Sequence, residues 1–209
     1  MILVGLTGGM GAGKSSVSAL LAARGAVIVD ADAITRELQE PGTPVFTAIV
    51  DRFGPGVVAS DGSLDRQALA DIVFADPDEL ADLNGIVHPA VGAELVERLR
   101  QEAETGHVVI LDVPLLVESG RSDMAGLIVV DVDPDLAVRR LVEHRNVPEA
   151  DARARMARQA TREERLAKAD FVIDNSGTKE DLEAQVDAVW KWIQTLEAAE
   201  PRGGAAPSG

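Results

Sequence analysis

Five short runs of apolar, largely β-branched residues punctuate the chain: ILVGL (Ile2–Leu6), AVIVD (Ala26–Asp30), HVVILDV (His107–Val113), GLIVVDV (Gly126–Val132) and DFVID (Asp170–Asp174). They are continuous rather than alternating, which is the pattern of strands covered on both faces. Stretches with apolar residues at helical spacing separate them. Strands alternating with helices predict an α/β fold with a five-stranded, mostly parallel sheet. Roughly seventy residues lie between the second and third runs, more than one crossover helix needs. That stretch, 40–106, reads as a helical insertion, with Pro77 and Pro89 placed to start helices. A second insertion, 139–168, lies between the fourth and fifth strands. A last helix is expected over Thr178–Ala199, with Trp190 and Ile193 on its apolar side. The ending PRGGAAPSG (201–209) is a small-residue tail expected to be disordered.

Composition narrows the classes. At 209 residues with 46% hydrophobic and 26% charged residues, the chain has material for one α/β domain with insertions. Aromatics make up 3%, so the core must be built from Val, Leu, Ile and Ala. The absence of cysteine excludes disulfides, thiolate metal sites and a cysteine nucleophile, and fits a cytoplasmic protein. No basic flank precedes the apolar residues at Ile2, so no secretory signal is expected, and no run is long enough for a bilayer span. A net charge of −15 argues against a general nucleic-acid surface. Residues 139–168 depart from this, with nine Lys or Arg against five Asp or Glu. A basic island in an acidic chain points to a local anionic ligand, set against a solvated helix face of ion pairs.

Three stretches carry chemistry. Gly8–Ser15, GGMGAGKS, matches G-x-x-x-x-G-K-[ST], follows a strand and precedes a helix. Its glycines let the backbone aim N–H groups at a phosphate chain, and the helix N-terminus adds its positive end. Lys14 would reach the β- and γ-phosphates, and Ser15 would hold Mg²⁺. In VIVDADAITREL, Asp30 and Asp32 stand at a strand's carboxyl end, where open α/β sheets bind ligands. One of the two would accept a hydroxyl proton or orient Mg²⁺; the alternative role for either is to cap the following helix. Arg36, one turn after Asp32, would meet a substrate phosphate. In VVILDVPLLVESG, Asp112 ends a buried strand at the place of an acid that supports Mg²⁺, or is simply a polar strand end. Leu115 and Leu116 follow as candidate walls of an acceptor site.

The basic island holds Arg139, Arg140, Arg145, Arg153, Arg155, Arg158, Arg162 and Arg165. Asp133 and Pro134 predict a helix start in cap-then-proline order, and a second helix is expected from near Pro148 with Arg155, Arg158 and Arg162 along one face. Arginines suit forked contacts to phosphate, and a lid bearing them would exclude water from a phosphoryl transfer. Arg140 is the candidate for transition-state charge. TKED (Thr178–Asp181) matches a guanine-reading motif of GTPases, but no D-x-x-G follows the third strand. Thr178 is therefore read as a helix N-cap with Asp181 as its capping-box partner, and DNSG (174–177) as a turn placing Asn175 and Gly177 beside a nucleotide base.

Taken in order, GLTGGMGAGKSSV, DADAITREL, LNGIVHPAV, DVPLLVESG and ARARMARQATREERLAKADFVIDNSG resemble the dephospho-CoA kinase family from Ile2 to about Leu196. The resemblance implies a P-loop kinase fold with a nucleotide core (about 1–39, 107–138 and 169–199), a CoA-binding helical insertion (about 40–106) and a lid (about 139–168). It implies transfer of the ATP γ-phosphate to the ribose 3′-hydroxyl of dephospho-CoA, with Mg²⁺. A monomer or weak homo-oligomer is expected. The resemblance assigns ATP to Gly9, Gly11, Ala12, Gly13, Lys14, Ser15 and Ser16, with Arg145 packing on adenine. Asp32 becomes the base or acceptor-orienting acid and Arg140 the charge clamp, while His88 and Pro89 join the CoA-binding insertion. Ser16 stands where threonine is usual and Met10 where isoleucine is commoner; the first keeps its hydroxyl and the second conserves volume.

Overall fold

The five apolar runs form five strands: β1 (Ile2–Gly8), β2 (Val27–Asp30), β3 (Val108–Asp112), β4 (Gly126–Asp131) and β5 (Phe171–Asp174). The computed structural model describes residues 1–114, 116–117, 120–121, 123–145 and 147–197; Leu115 and the 201–209 tail lie outside them, as does the side chain of Arg145. The strands make one sheet in the order β2-β3-β1-β4-β5. β1 is central: it pairs in parallel with β3, from Ile2↔Val108 to Leu6↔Asp112, and with β4, from Val4↔Gly126 to Gly8↔Val130. β5 pairs in parallel with β4, ending at Asp131↔Asp174. The register brings Gly8, Asp112 and Asp131 to one edge of the sheet, the edge from which the glycine-rich loop departs.

The helices are α1 (Lys14–Ala22), α2 (Ala31–Leu38), α3 (Pro44–Phe53), α4 (Arg66–Val73), α5 (Pro77–Glu102), α6 (Pro134–Arg145), α7 (Glu149–Met156), α8 (Arg162–Lys168) and α9 (Lys179–Ile193). The chain divides into two compact units, one of 1–29 with 102–209 and one of 30–101. In the first, Val4, Leu6, Ile110, Ile128, Val130 and Ile173 of the sheet are buried with Val17 and Leu21 of α1. α9 adds Leu182, Val186, Val189 and Ile193, a stripe at intervals of four, three and four that faces the sheet. Trp192 of α9 meets the Phe171 ring at 5.4 Å and covers Gly126, where a Cβ would lie 2.6 Å from the indole. The Arg24 Nε donates to Asp187 at 2.8 Å and its Nη1 to the Leu20 carbonyl at 2.7 Å, joining the end of α1 to α9.

The second unit is built around Val45, Ile49, Val57, Leu69, Val73 and Val87. Side-chain caps start its helices: Thr43 accepts the Phe46 N–H at 3.1 Å ahead of Pro44, and Asp65 accepts from Gln67 and Ala68. Here one expectation fails. Pro77 does open a helix, but Pro89 lies inside α5 rather than starting a new one. A proline ring clashes with the carbonyl four residues back and removes a hydrogen bond, costing about 3 kcal/mol in an ordinary helix interior. Apolar residues on both sides of it, Ile86, Val87, Ala90 and Val91, pack into the same cluster and hold the helix through that position.

The basic island also differs from its expected form. Asp133 Oδ1 accepts from Asp135 and Leu136 and starts α6 as predicted. The second helix, however, breaks into α7 and α8, so Arg155, Arg158 and Arg162 do not share one helical face. Thr161 restarts the helix: its Oγ1 accepts the Glu164 N–H at 3.1 Å while Glu164 accepts the Thr161 N–H at 2.7 Å. T-R-E-E is a capping box legible in the sequence. The same device at Thr178–Asp181 starts α9, which is why T-K-E-D here is a helix start.

Hydrogen bonds from the Thr178 backbone and side chain hold the Asp181 carboxyl below its ordinary value. A depressed carboxylate contributes stability that is present above its unfolded pKa and is lost as pH falls through the folded one. Thr178→Ala should therefore destabilise the protein by about 1 kcal/mol at neutral pH. In urea denaturation the gap to wild type should narrow as pH falls below the ordinary aspartate range, by the part that the Thr178 hydroxyl gives the Asp181 carboxylate, while the part from the backbone cap remains.

Candidate active site

The loop between β1 and α1 is shaped by contacts from outside itself. Only two backbone bonds are internal to it, Ala12 N–H to Gly9 O and Ser16 N–H to Gly13 O, both 3.0 Å. The N–H groups of Gly11, Gly13, Lys14 and Ser15 have no acceptor among the described residues. They gather at the N-terminus of α1, where the helix dipole favours an anion. Gly11 and Gly13 take φ of 80° and 85°, which other residues adopt only with strain. Close approach is the second demand on these glycines: a Cβ on Gly11 would lie 2.8 Å from the Ala137 carbonyl of α6, and one on Gly13 would strike the Asn175 amide.

Asn175 itself donates from Nδ2 to the Ala12 carbonyl at 2.7 Å, while its backbone N–H is held by the Asp131 carbonyl at 2.8 Å. The turn that sequence reading set beside a base thus grips the loop. Gly177 follows in that turn, packed against Asp181. Gln159, between α7 and α8, accepts the Met10 N–H at 2.9 Å, and the Arg165 guanidinium covers Gly9.

Lys14, at the first position of α1, pairs with Asp112 Oδ1. Asp112 is 2% exposed and the Lys14 side chain 17%. Asp112 Oδ2 accepts from Ser18 Oγ at 2.6 Å, a residue that sequence reading missed. The available signal was a serine four residues after Lys14, within the stripe of Val17, Ser18 and Leu21 that α1 buries. Ser15 and Ser16 are exposed on the first turn of α1. One hydroxyl at Ser15 and one carboxylate at Asp112 are hard oxygen donors, the kind that hold Mg²⁺ together with substrate phosphates.

In the second unit the choice between Asp30 and Asp32 becomes clear in part. Asp30 Oδ1 accepts the Asp32 N–H at 2.8 Å and the Ala33 N–H at 3.1 Å, so its carboxylate is the N-cap of α2. Asp32 is exposed in the first turn, and its carboxylate has no hydrogen-bond partner among the described residues. Arg36 is exposed on the same helix, whereas its neighbour Glu37 pairs with Arg98. His88 and Pro89 are exposed on α5, so His88 is not a satisfied core histidine. No described hydrogen bond joins His88 to Asp32 or Arg36.

The island's arginines sort into two groups. Arg153 is engaged by Glu149 at 2.9 Å and Asp135 at 3.0 Å. Arg162 makes a forked contact to Asp131, at 2.6 and 2.9 Å, and this carboxylate raises its pKa above the usual arginine value. Arg165 donates to the Ala160 carbonyl. Arg139, Arg140, Arg155 and Arg158 make no ion pair among the described residues. Arg140 is half-buried on α6. Leu116 is 3% exposed and packs at Gly5 with Met124 and Leu127, so its side chain is part of the packing on β1.

A parallel sheet of this strand order, with G-x-x-x-x-G-K-S between its central strand and first helix, defines a P-loop kinase fold. Residues 2–181 match the family model described as dephospho-CoA kinase, and the chain belongs to that family. Among its relatives, a dephospho-CoA kinase of Streptomyces avermitilis is 57% identical over 191 residues, 91% of this chain and 93% of that one. One of Thermobifida fusca is 52% identical over 195 residues, covering 93% and 97%. A crystal structure of a Thermus thermophilus protein matches with a TM-score of 0.74 at 34% identity, over 91% of this chain and 97% of that one. A Campylobacter jejuni dephospho-CoA kinase, at 24% identity, shares the fold with a TM-score of 0.68 over 91% and 96%.

The doubly constrained glycine gives a test of the loop. Gly13→Ala needs φ of +85° and meets Asn175, so it should lower stability by about 1–3 kcal/mol and weaken ATP binding at least about tenfold. Thermal unfolding and calorimetric titration with ATP measure the two effects separately.

Proposed function

We propose that this chain transfers the γ-phosphate of ATP to the 3′-hydroxyl of the ribose of dephospho-CoA, releasing CoA and ADP. The observation that carries the reading is the loop's set of unpaired N–H groups beside Lys14, within a chain of this kinase family. Gly9, Gly11, Ala12, Gly13, Lys14, Ser15 and Ser16 bind the ATP phosphates, and Lys14 exchanges Asp112 for the β- and γ-oxygens. Mg²⁺, when bound, neutralises charge on those phosphates, and Ser15 and Asp112 are the residues that fit it.

The reaction forms one bond and breaks one. The acceptor oxygen attacks the γ-phosphorus as the bond to the β,γ-bridging oxygen breaks, and the hydroxyl proton passes to a carboxylate. Asp32 takes that proton: its carboxylate is free, whereas that of Asp30 is spent on a helix N-terminus. Arg140, free of any described ion pair, neutralises charge on the transferring group. Arg36, His88 and Pro89 bind the acceptor, and 139–168 acts as a lid that excludes water, which would otherwise hydrolyse ATP. Asn175, Gly177 and Arg145 flank the nucleotide base. The acidic, cysteine-free composition supports action in the cytoplasm on a small molecule rather than on nucleic acid. Among the described residues no helix is long and apolar enough to cross a membrane.

Coupled measurement of ADP tests this directly. Release with Mg·ATP should depend on added dephospho-CoA; ADP formation no faster than with ATP alone would overturn the proposal. Lys14→Ala and Asp32→Asn should each lower kcat by about 100-fold or more. Asp32→Asn should leave ATP affinity largely intact, and wild-type turnover in that variant would remove Asp32 from the role of base.

A further inference from the structure

Asp112 holds two donors, and the two differ in kind. Oδ1 faces Lys14, a cation with another destination; Oδ2 faces Ser18 Oγ at 2.6 Å, a neutral hydroxyl with no other described partner. Ser18 is 8% exposed and Asp112 2%, so water competes for neither group. Lys14 and Ser18 are four residues apart and share one face of α1, opposite the carboxyl end of β3. No other described side chain donates to this carboxylate.

We propose that Ser18 is a positioning residue of the phosphotransfer site, acting through Asp112 on Lys14. The proposal rests on the reading of Lys14 as the phosphate lysine. The terminal torsion of an aspartate is broad, so its carboxylate turns easily unless a partner fixes its plane. With Oδ2 occupied by Ser18, Lys14 is held through one oxygen and is readily released to phosphate. Without Ser18 the buried Oδ2 lacks a donor, and the carboxylate meets that deficit by taking the ammonium with both oxygens. Lys14 is then withheld from the nucleotide. Once Lys14 has left for the phosphates, Ser18 is the donor that keeps Asp112 from turning, so Oδ1 stays aimed at the site. The role is that of an outer residue that orients an inner one, whose loss typically costs about 10–100-fold in function.

The experiment is calorimetric titration with ATP in EDTA, so that binding is read without metal or turnover, on wild type and on Ser18→Ala, Ser18→Cys and Ser18→Thr. Loss of the hydroxyl in the Ala and Cys variants should weaken metal-free ATP binding about tenfold, and Ser18→Thr should restore it. In steady-state assays kcat/KM for ATP should fall while KM for the acceptor holds, a split that simple destabilisation does not produce. Should Ser18→Ala fail to fold, the near-isosteric Ser18→Cys decides. Wild-type affinity and turnover in the Ala and Cys variants, with only the melting temperature lowered, would overturn the proposal, as would a folded Ser18→Thr that loses as much as Ser18→Ala. Lys14→Ala in the same titration separates the two readings: undiminished affinity there overturns the lysine's assignment and this proposal with it, whereas failure confined to the Ser18 variants overturns this one alone.

Discussion

A loop that binds phosphate through its backbone must leave its own N–H groups unpaired, and a chain segment with few internal bonds has little reason to hold a shape. The two internal bonds of this loop, from Ala12 and Ser16, cannot fix eight residues. Shape is therefore supplied by neighbours that the fold brings from elsewhere. Asn175 grips the Ala12 carbonyl, Gln159 accepts from Met10, Ala137 bounds Gly11 and Asp112 steadies the first residue of α1. Each is more than ninety positions from the loop in sequence. The central place of β1, paired with β3 on one side and β4 on the other, makes these approaches possible.

Electrostatics follows the same division between fixed and exchangeable. Asp131 and Arg162 form a forked pair with the carboxylate nearly buried, and neither has a second described partner to turn to. Arg162 is exposed, so the cost of breaking the pair falls on the Asp131 side, where loss of the arginine leaves a nearly buried carboxylate uncompensated. Lys14 and Asp112 are different under the proposed function, in which phosphate oxygens replace what the lysine gives up. Arg139, Arg140, Arg155 and Arg158 in one unit, and Asp32 in the other, make no ion pair among the described residues. Leaving charges unmatched is tolerable only at exposed or half-exposed positions, and that is where Asp32, Arg139, Arg155 and Arg158 are found.

Much of this was legible in the sequence because it depends on local pattern. Continuous apolar runs marked all five strands, and G-G-M-G-A-G-K-S marked the loop with its helix. The helix starts at Asp133 and Thr178 were also local, since a cap bonds to residues two or three positions away. What stayed hidden was set by packing at a distance. Pro89 reads as a helix start until its neighbours Val87 and Val91 are seen to share one cluster. Ser18 reads as a small polar residue until β3 places Asp112 opposite it. Asp30 and Asp32 were ambiguous for another reason: the same carboxylate chemistry serves a cap and a base, and only the hydrogen bonds made by Asp30 separate them. The Thr161–Glu164 box, in contrast, is a local pattern present in the sequence, within a stretch dominated by arginines.

The grip of Asn175 on Ala12 has a consequence for synthesis. The residue that clamps the loop comes some hundred and sixty positions after it, beyond all five strands and the whole of 139–168. A nascent chain therefore carries the full nucleotide signature long before it carries a finished nucleotide site. The pairing of β5 beside β4 is what brings its following turn against the loop, so a chain that stops short of that turn lacks the clamp.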